Sequence, residues 1–390
     1  VGRVMNPDLT RDTGRTILLN PGPVTLSARV RTALLEPDLC HREEEYADLQ
    51  DEVRRRLLEV YDLDPATWAA VLLGGSGTTA MEAMVSSLVP ATGTLAVVEN
   101  GVYGERLSRI ATIHGLAGTS LTRPWGADVS LDAVTALLDH SPHPTHLAVV
   151  HHETTTGRLN PIDRIGAACR NRSVGVLLDG VSSFGAEPID FEAWGITACA
   201  GTANKCLHGV PGVAFVIVRR DALLPPSVTP RTLSLDLGTW CRAQDTRGTP
   251  FTPPVTAMHA CAEALREHAE EGGATARRAR YETRARIVAR GFEEMGMAPL
   301  LREEDSSVVL RSWQLPAGVS YAALHDGLKD RGFVIYAGQG VLARAVFRVA
   351  VMGDLGDGDL ERFVRAVGEV VAAERALREP APAPTSGARR

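Results

Sequence analysis

The sequence predicts an α/β protein: a mostly parallel sheet covered by helices, followed by a smaller α/β domain. Two observations carry this. Between about residues 27 and 260, short apolar runs alternate with helix-like stretches: "AAVLLGG" (69–75), "TLAVVEN" (94–100), "HLAVVHHE" (146–153), "VGVLLDG" (174–180) and "GVAFVIV" (212–218). Most are apolar on both faces, as a strand is when helices cover both sides of its sheet. After 255 the pattern changes to long charged helical stretches and short strands.

The elements follow in order. Residues 1–16 are polar and expected to be mobile, and the large domain runs over 17–261. Within it each apolar run ends in a turn, and such strand ends gather ligand-binding groups. "VTAMHACAEALREHAEEGG" reads as a helix closed by glycine, and "ATARRARYETRARIVARGFEEMG" as a second helix. Strands are expected in "SSVVLRSWQL", "GFVIYAG" and "AVFRVAVMG", and a last helix in "DLERFVRAVGEVVAAERAL". These form the small domain, 262–375. The Pro/Ala-rich end, 376–390, is expected to be disordered.

Composition narrows the function. The chain has 390 residues, with a net charge of −6 and no basic stripe, which argues against a nucleic-acid surface. No apolar run is long enough to span a bilayer. The six cysteines (Cys40, Cys169, Cys199, Cys206, Cys241 and Cys261) are widely spaced, with no CxxC pair. A reduced, cytoplasmic protein is expected. Of 41 basic residues only Lys205 and Lys329 are lysines. Where arginine serves for plain positive charge, a retained lysine suggests a need for a primary amine that can lose its proton and attack a carbonyl.

Five stretches carry chemistry. In "LLGGSGTTAMEAMVSSL" (72–88) a strand runs through Gly74, Gly75, Ser76, Gly77, Thr78 and Thr79 into a helix. Close backbone approach, hydroxyls and free N–H groups at the helix start make a phosphate cradle, although an ordinary strand–helix turn looks alike. Tyr103, in "ENGVYGERL", sits at a strand end where it can stack on an aromatic ligand or simply pack. "HHETTTG" (151–157) is a polar cluster at another strand end. His151 and His152 point to opposite faces and cannot chelate one ion together. "DHSPHPTH" (139–146) lies in a Pro-broken loop, and no metal is expected there.

Asp179 ends an apolar strand, where it is either a cap or the partner of a cofactor's ring nitrogen. Such a carboxylate keeps the pyridine of pyridoxal phosphate protonated. Lys205, in "AGTANKCLHGVPG", follows 26 residues later in a loop between two strands, where a Schiff-base lysine must lie. Cradle, aromatic, hydroxyls, aspartate and lysine fall in order at strand ends of one domain, which together point to a pyridoxal 5'-phosphate (PLP) enzyme.

These residues resemble the class V branch of the fold-type-I PLP-dependent aminotransferases, and within it the 2-aminoethylphosphonate–pyruvate subfamily. The resemblance rests on "LLNPGPVTLS", "PDLCHREEEYADL", "HETTTGRLNPID", "VSSFGAEPIDF", "ANKCLHGVPGVAFVI", "RTLSLDL" and "RGFVIYAG", spanning residue 18 to about 350. It implies a seven-stranded, mostly parallel large-domain sheet. It also implies a homodimer with shared active sites and a reaction between an aminophosphonate and an α-keto acid, run in either direction.

By the same resemblance Lys205 carries the cofactor and moves the proton, and Asp179 pairs with the ring nitrogen. Tyr103 stacks on the ring, Ser76, Gly77 and Thr78 take its phosphate, and Thr155 takes its ring hydroxyl. Val181 and Asn204 line the pocket, and Thr249 and Thr252 reach the phosphate of the neighbouring subunit. Arg348 holds the substrate carboxylate, while Arg42 and the Asn20–Pro23 turn, with Gly22, close over the amino donor.

The chain departs from the pattern at Thr79, where relatives carry an aromatic, and at Gly74, where they often have glutamine. A third departure is "VAVMGDLGDGD", the segment that contains Val349 and follows Arg348. Three alternatives stay open: an alanine– or serine–glyoxylate type aminotransferase, a cysteine desulfurase or lyase, and a non-catalytic binding protein of the same fold. Every cysteine stands at or before 261, away from any loop a desulfurase would use.

Overall fold

A computed structural model describes residues 15–139, 143–223 and 229–377. The expected mobile start, apart from residues 15 and 16, and His140 of the His-rich loop lie outside these residues. So does the tail from 378 onward.

The central sheet has seven strands. Their order across it is Trp68–Gly75, Gly212–Arg219, Ile196–Thr202, Gly175–Asp179, His146–Val150, Thr94–Glu99 and Ala117–Thr122. Only Gly212–Arg219 runs antiparallel to its neighbours. The alternation of side chains along each strand splits the buried residues into two cores. Leu72, Leu178, Phe215 and Ile217 face one layer, with Val53 and Leu57 of the helix Glu44–Glu59. Val71, Leu73, Leu177 and Val216 face the other, with Met81 and Met84 of the helix Gly77–Leu88 and Leu107 of the helix Val102–Ile113.

Two of the seven strands escape the apolar-run criterion. Ala117–Thr122 is an edge strand, alternately exposed, and its Thr and Ser residues suit that position. Ile196–Thr202 is central and buried, but after Ile196 it is built of Thr, Ala, Cys and Gly, which together make no apolar run.

The smaller unit packs around Phe292 of the helix Gly273–Glu294, whose ring meets Trp313, Phe347 and Phe363 at centroid distances of 4.8, 5.8 and 5.9 Å. Its three-stranded sheet places Val346–Ala350 between Leu310–Gln314 and Tyr336–Ala337. The helices Tyr321–Lys329 and Asp357–Ala376 complete it.

The beginning of the described chain joins this unit. Ile17–Leu18 pairs in parallel with Phe333–Val334, and Ala350 N–H donates to Leu19 O at 2.8 Å. The Asn20–Pro23 turn is thereby anchored next to the Val346–Ala350 strand. No helix of the described residues is long and apolar enough to cross a membrane.

Candidate active site

The site lies at the C-terminal ends of the parallel strands, where helix N-termini converge. Asp179 is the last residue of its strand and pairs in register with Ala200 of the next. Lys205 lies three residues beyond the end of that next strand, in the loop before Gly212–Arg219. Adjacent strands thus present a carboxylate and an amine to one space.

Asp179 is buried. Its Oδ1 accepts the Val181 N–H at 2.9 Å, while Oδ2 has no hydrogen bond to the described protein atoms. Burial pushes its carboxyl up to about 6, against the opposing Val181 N–H and the charges of Lys205 and Arg106. For Lys205 burial dominates again and lowers the ammonium from 10.5 to about 8. Asp179 pulls it back up, and Arg348 and Arg106 push it further down. Its Nζ donates to Pro21 O of the Asn20–Pro23 turn.

Gly22 lets that turn approach. A Cβ there would stand 2.8 Å from Lys205 Cδ, and its φ of +116° is one that L side chains rarely adopt. Asn20 is spent within the turn, its amide donating to Pro23 O at 3.0 Å.

The cradle adjoins Asp179 directly. A Cβ on Gly77 would fall 2.7 Å from Val181 Cγ1, so the start of the helix Gly77–Leu88 lies against the residue that Asp179 holds. Ser76 is exposed and Thr78 half-buried. The unexpected Thr79 acts locally, its hydroxyl accepting the Ser76 N–H at 3.1 Å. Gly74, the other departure in the cradle, leaves space that Pro254 approaches, 3.3 Å from where a Cβ would be.

Tyr103 opens the helix Val102–Ile113, which is held by a group that the sequence pattern did not single out. Glu153 is fully buried; Oε2 accepts the N–H groups of Tyr103 and Gly104 at 3.1 and 3.3 Å. Its Oε1 accepts the Thr155 N–H and hydroxyl at 3.1 and 2.6 Å. A carboxylate at a helix N-terminus satisfies orphan donors and meets the positive dipole end. Burial still pushes Glu153 up to about 7. The Thr155 hydroxyl also accepts from Val102 N–H at 3.0 Å, so it is engaged at the helix start.

Arg348 is buried at the centre of its strand. Nε donates to Ala337 O at 2.9 Å and Nη1 to Thr154 O at 3.0 Å, which leaves Nη2 without a described protein partner. Among the described residues no carboxylate lies within 4.0 Å of it, nor of Arg106. Arg106 stands over the Tyr103 ring, 4.6 Å from its centroid, and donates to Thr78 Oγ1 at 3.0 Å. It was legible in "YGERL" as the residue three on from Tyr103, on the same helix face.

The histidines separate as their alternation requires. His151 meets Trp194 edge-on at 5.7 Å, and His152 Nδ1 pairs with Ser182 O at 3.0 Å. Burial lowers both, to about 3 and about 4. His152 Nε2 is left buried and unpaired among the described atoms.

Of the other expected residues, Asn204 stands by the lysine, and Thr249, Thr252 and Arg42 stand apart on the single chain. Asn204 accepts from Thr202 Oγ1 at 2.8 Å beside the lysine. Thr249 donates to Phe251 O, and Thr252 is exposed two residues before Pro254. Arg42 is exposed in the turn before the helix Glu44–Glu59, and no described hydrogen bond or ion pair ties it to the cluster.

The donor set matches an aldehyde cofactor with a basic ring nitrogen and a phosphate. It offers a primary amine held near neutrality, a buried carboxylate with one free oxygen, an aromatic face and a hydroxyl-bearing helix start. The chain matches the model of the aminotransferase class-V family over residues 41–353. It is 38% identical over 355 residues to a 2-aminoethylphosphonate–pyruvate transaminase of Vibrio cholerae, covering 90% of this chain and 96% of that protein. A protein of the same name from Syntrophobacter fumaroxidans is 37% identical over 354 residues, covering 90% and 95%. The crystal structure of an alanine–glyoxylate aminotransferase from Nostoc sp. aligns with a TM-score of 0.86 at 26% identity, over 94% of this chain and 97% of that one.

Proposed function

The chain belongs to the class V aminotransferase family, and from that premise we propose that it moves an amino group between 2-aminoethylphosphonate and pyruvate, giving phosphonoacetaldehyde and alanine. Its cofactor is pyridoxal 5'-phosphate, which when bound supplies an aldehyde to carry the amine and a ring to accept an electron pair.

The protein's own groups divide the remaining work. Lys205 would hold the cofactor through its Nζ, and its amine is the group placed to take a proton from the amine-bearing carbon and return it. An amine near 8 is suited to both roles at neutral pH. The free oxygen of Asp179 would pair with the ring nitrogen and keep its proton in place. Gly77, Thr78 and the helix start would hold the phosphate, and Tyr103 would cover the ring. The Asn20–Pro23 turn lies over Lys205 and limits water. Thr249 and Thr252 complete the site of a neighbouring copy in a homodimer, a reading that the exposure of Thr252 supports.

Arg348 carries the substrate reading. A buried guanidinium with no carboxylate partner, close enough to depress Lys205, calls for an anion on the substrate. A phosphonate on the donor and a carboxylate on the acceptor each supply one, so one arginine serves both half-reactions in turn.

The test is direct. Enzyme, 2-aminoethylphosphonate and pyruvate are mixed and alanine is followed. Alanine formed at the expense of the phosphonate supports the reading. Failure with this donor, alongside good turnover of alanine with glyoxylate, assigns the chain to another substrate class of the family.

A further inference from the structure

We infer that Arg106 is a ligand-binding residue of this site and takes a phosphoryl-type dianion, the cofactor's phosphate or the substrate's phosphonate. The inference deepens the functional reading above and rests on it.

Two positive features meet here. The helix Gly77–Leu88 presents its N-terminus, and its second residue, Thr78, accepts a hydrogen bond from Arg106 Nη1 at 3.0 Å. A guanidinium hydrogen-bonded to the first turn of a helix adds its charge to the positive end of the dipole, and an anion bound at that end meets both. The anion is not supplied by the protein, because among the described residues no carboxylate lies within 4.0 Å of Arg106.

The side chain is well placed to hold one. Arg106 sits one turn beyond Tyr103 on the helix that Glu153 anchors, with its guanidinium 4.6 Å from the Tyr103 centroid. Its planar fork leaves further donors beyond the one on Thr78, and a phosphoryl group accepts them bidentately. Its side chain is half-buried, and its charge lowers both Asp179 and Lys205, which puts it within electrostatic reach of the reacting space.

The experiment compares wild-type enzyme with Arg106→Gln and Arg106→Lys in two arms. In the first, cofactor-stripped enzyme is titrated with pyridoxal phosphate and with pyridoxal, followed by absorbance. In the second, KM is measured for 2-aminoethylphosphonate and, in the reverse direction, for alanine.

If Arg106 holds the cofactor's phosphate, Arg106→Gln weakens pyridoxal phosphate at least tenfold and pyridoxal less than twofold. If it holds the substrate's phosphonate, KM for 2-aminoethylphosphonate rises at least tenfold while KM for alanine stays within twofold. Arg106→Lys retains part of either effect because it keeps the charge. Equal losses for phosphorylated and unphosphorylated ligands, or no loss in either arm, overturn the inference. The two readings fail separately. A wild-type enzyme that ignores 2-aminoethylphosphonate rejects the substrate assignment, and the cofactor arm still decides Arg106. Should Arg106→Gln not fold, Arg106→Lys and Arg106→Met, which keeps the length and apolar stem of the side chain, carry the same comparison.

Discussion

The amine of Lys205 offers the most direct physical test of this site. Moving a lysine from 10.5 to about 8 favours its neutral form by about 3 kcal/mol. At pH 7 roughly one amine in ten is then neutral, against roughly one in three thousand for an ordinary lysine, a gain of ~300-fold. The chain has only one other lysine, Lys329, exposed in the last turn of its helix, which serves as an internal comparison. Cofactor-stripped protein is labelled with a trace of acetic anhydride from about pH 6 to about pH 11, bracketing both values, and the two lysine peptides are quantified by mass spectrometry. The Lys205 profile should turn over near 8. Replacing Arg348 by Gln removes a charge that disfavours the ammonium and should move the midpoint up, while Asp179→Asn should move it down. A midpoint at the ordinary lysine value of about 10.4, or one indifferent to Arg348→Gln, would refute the argument that burial and flanking arginines set this amine.

Three other outcomes are expected. Glu153 has a folded value of about 7, above its ordinary 4.5, so the native state holds the proton more tightly and wild-type stability falls as pH rises through that window, by about 3 kcal/mol. Glu153→Gln cannot ionise but loses an acceptor oxygen, so its deficit, about 1–3 kcal/mol near pH 5, should narrow above pH 7; parallel denaturation curves would count against this. Gly22→Ala puts a Cβ 2.8 Å from Lys205 Cδ at a φ of +116°. It should cost about 1–2 kcal/mol in stability and lower kcat roughly tenfold by displacing the amine, as urea titration and turnover would show. Arg348→Lys keeps charge but loses the planar fork; KM for both anionic substrates should rise roughly tenfold with kcat changed less, and an unchanged KM would remove Arg348 from substrate recognition.

Much of the site was legible because strand ends are marked in sequence. Apolar runs that stop at "GGSGTT", at Asp179 and before Tyr103 announce where the ligand space must be, since parallel sheets place their ligands there. The runs that failed to announce themselves had physical reasons. Ile196–Thr202 pairs on both sides through small residues, and its burial comes from its neighbours and not from its own apolarity. Glu153 looked like one polar residue among several. Its importance depends on Gly101, where a Cβ would fall 2.3 Å from the Glu153 carboxyl carbon, an approach that only folding creates.

Sequence by itself determined the architecture and the family and singled out Lys205 and Asp179 as candidates, because periodicity, turn chemistry and residue type are local and survive without coordinates. Tertiary structure alone decided what surrounds that pair. It showed that Ile17–Leu18 joins the small unit and carries Pro21 to the lysine, that Arg348 reaches Thr154, and that Arg106 reaches Thr78. Those are contacts between distant segments, set by how the layers pack, and the charge they place around one amine is a property of the assembled space and not of any stretch of the chain.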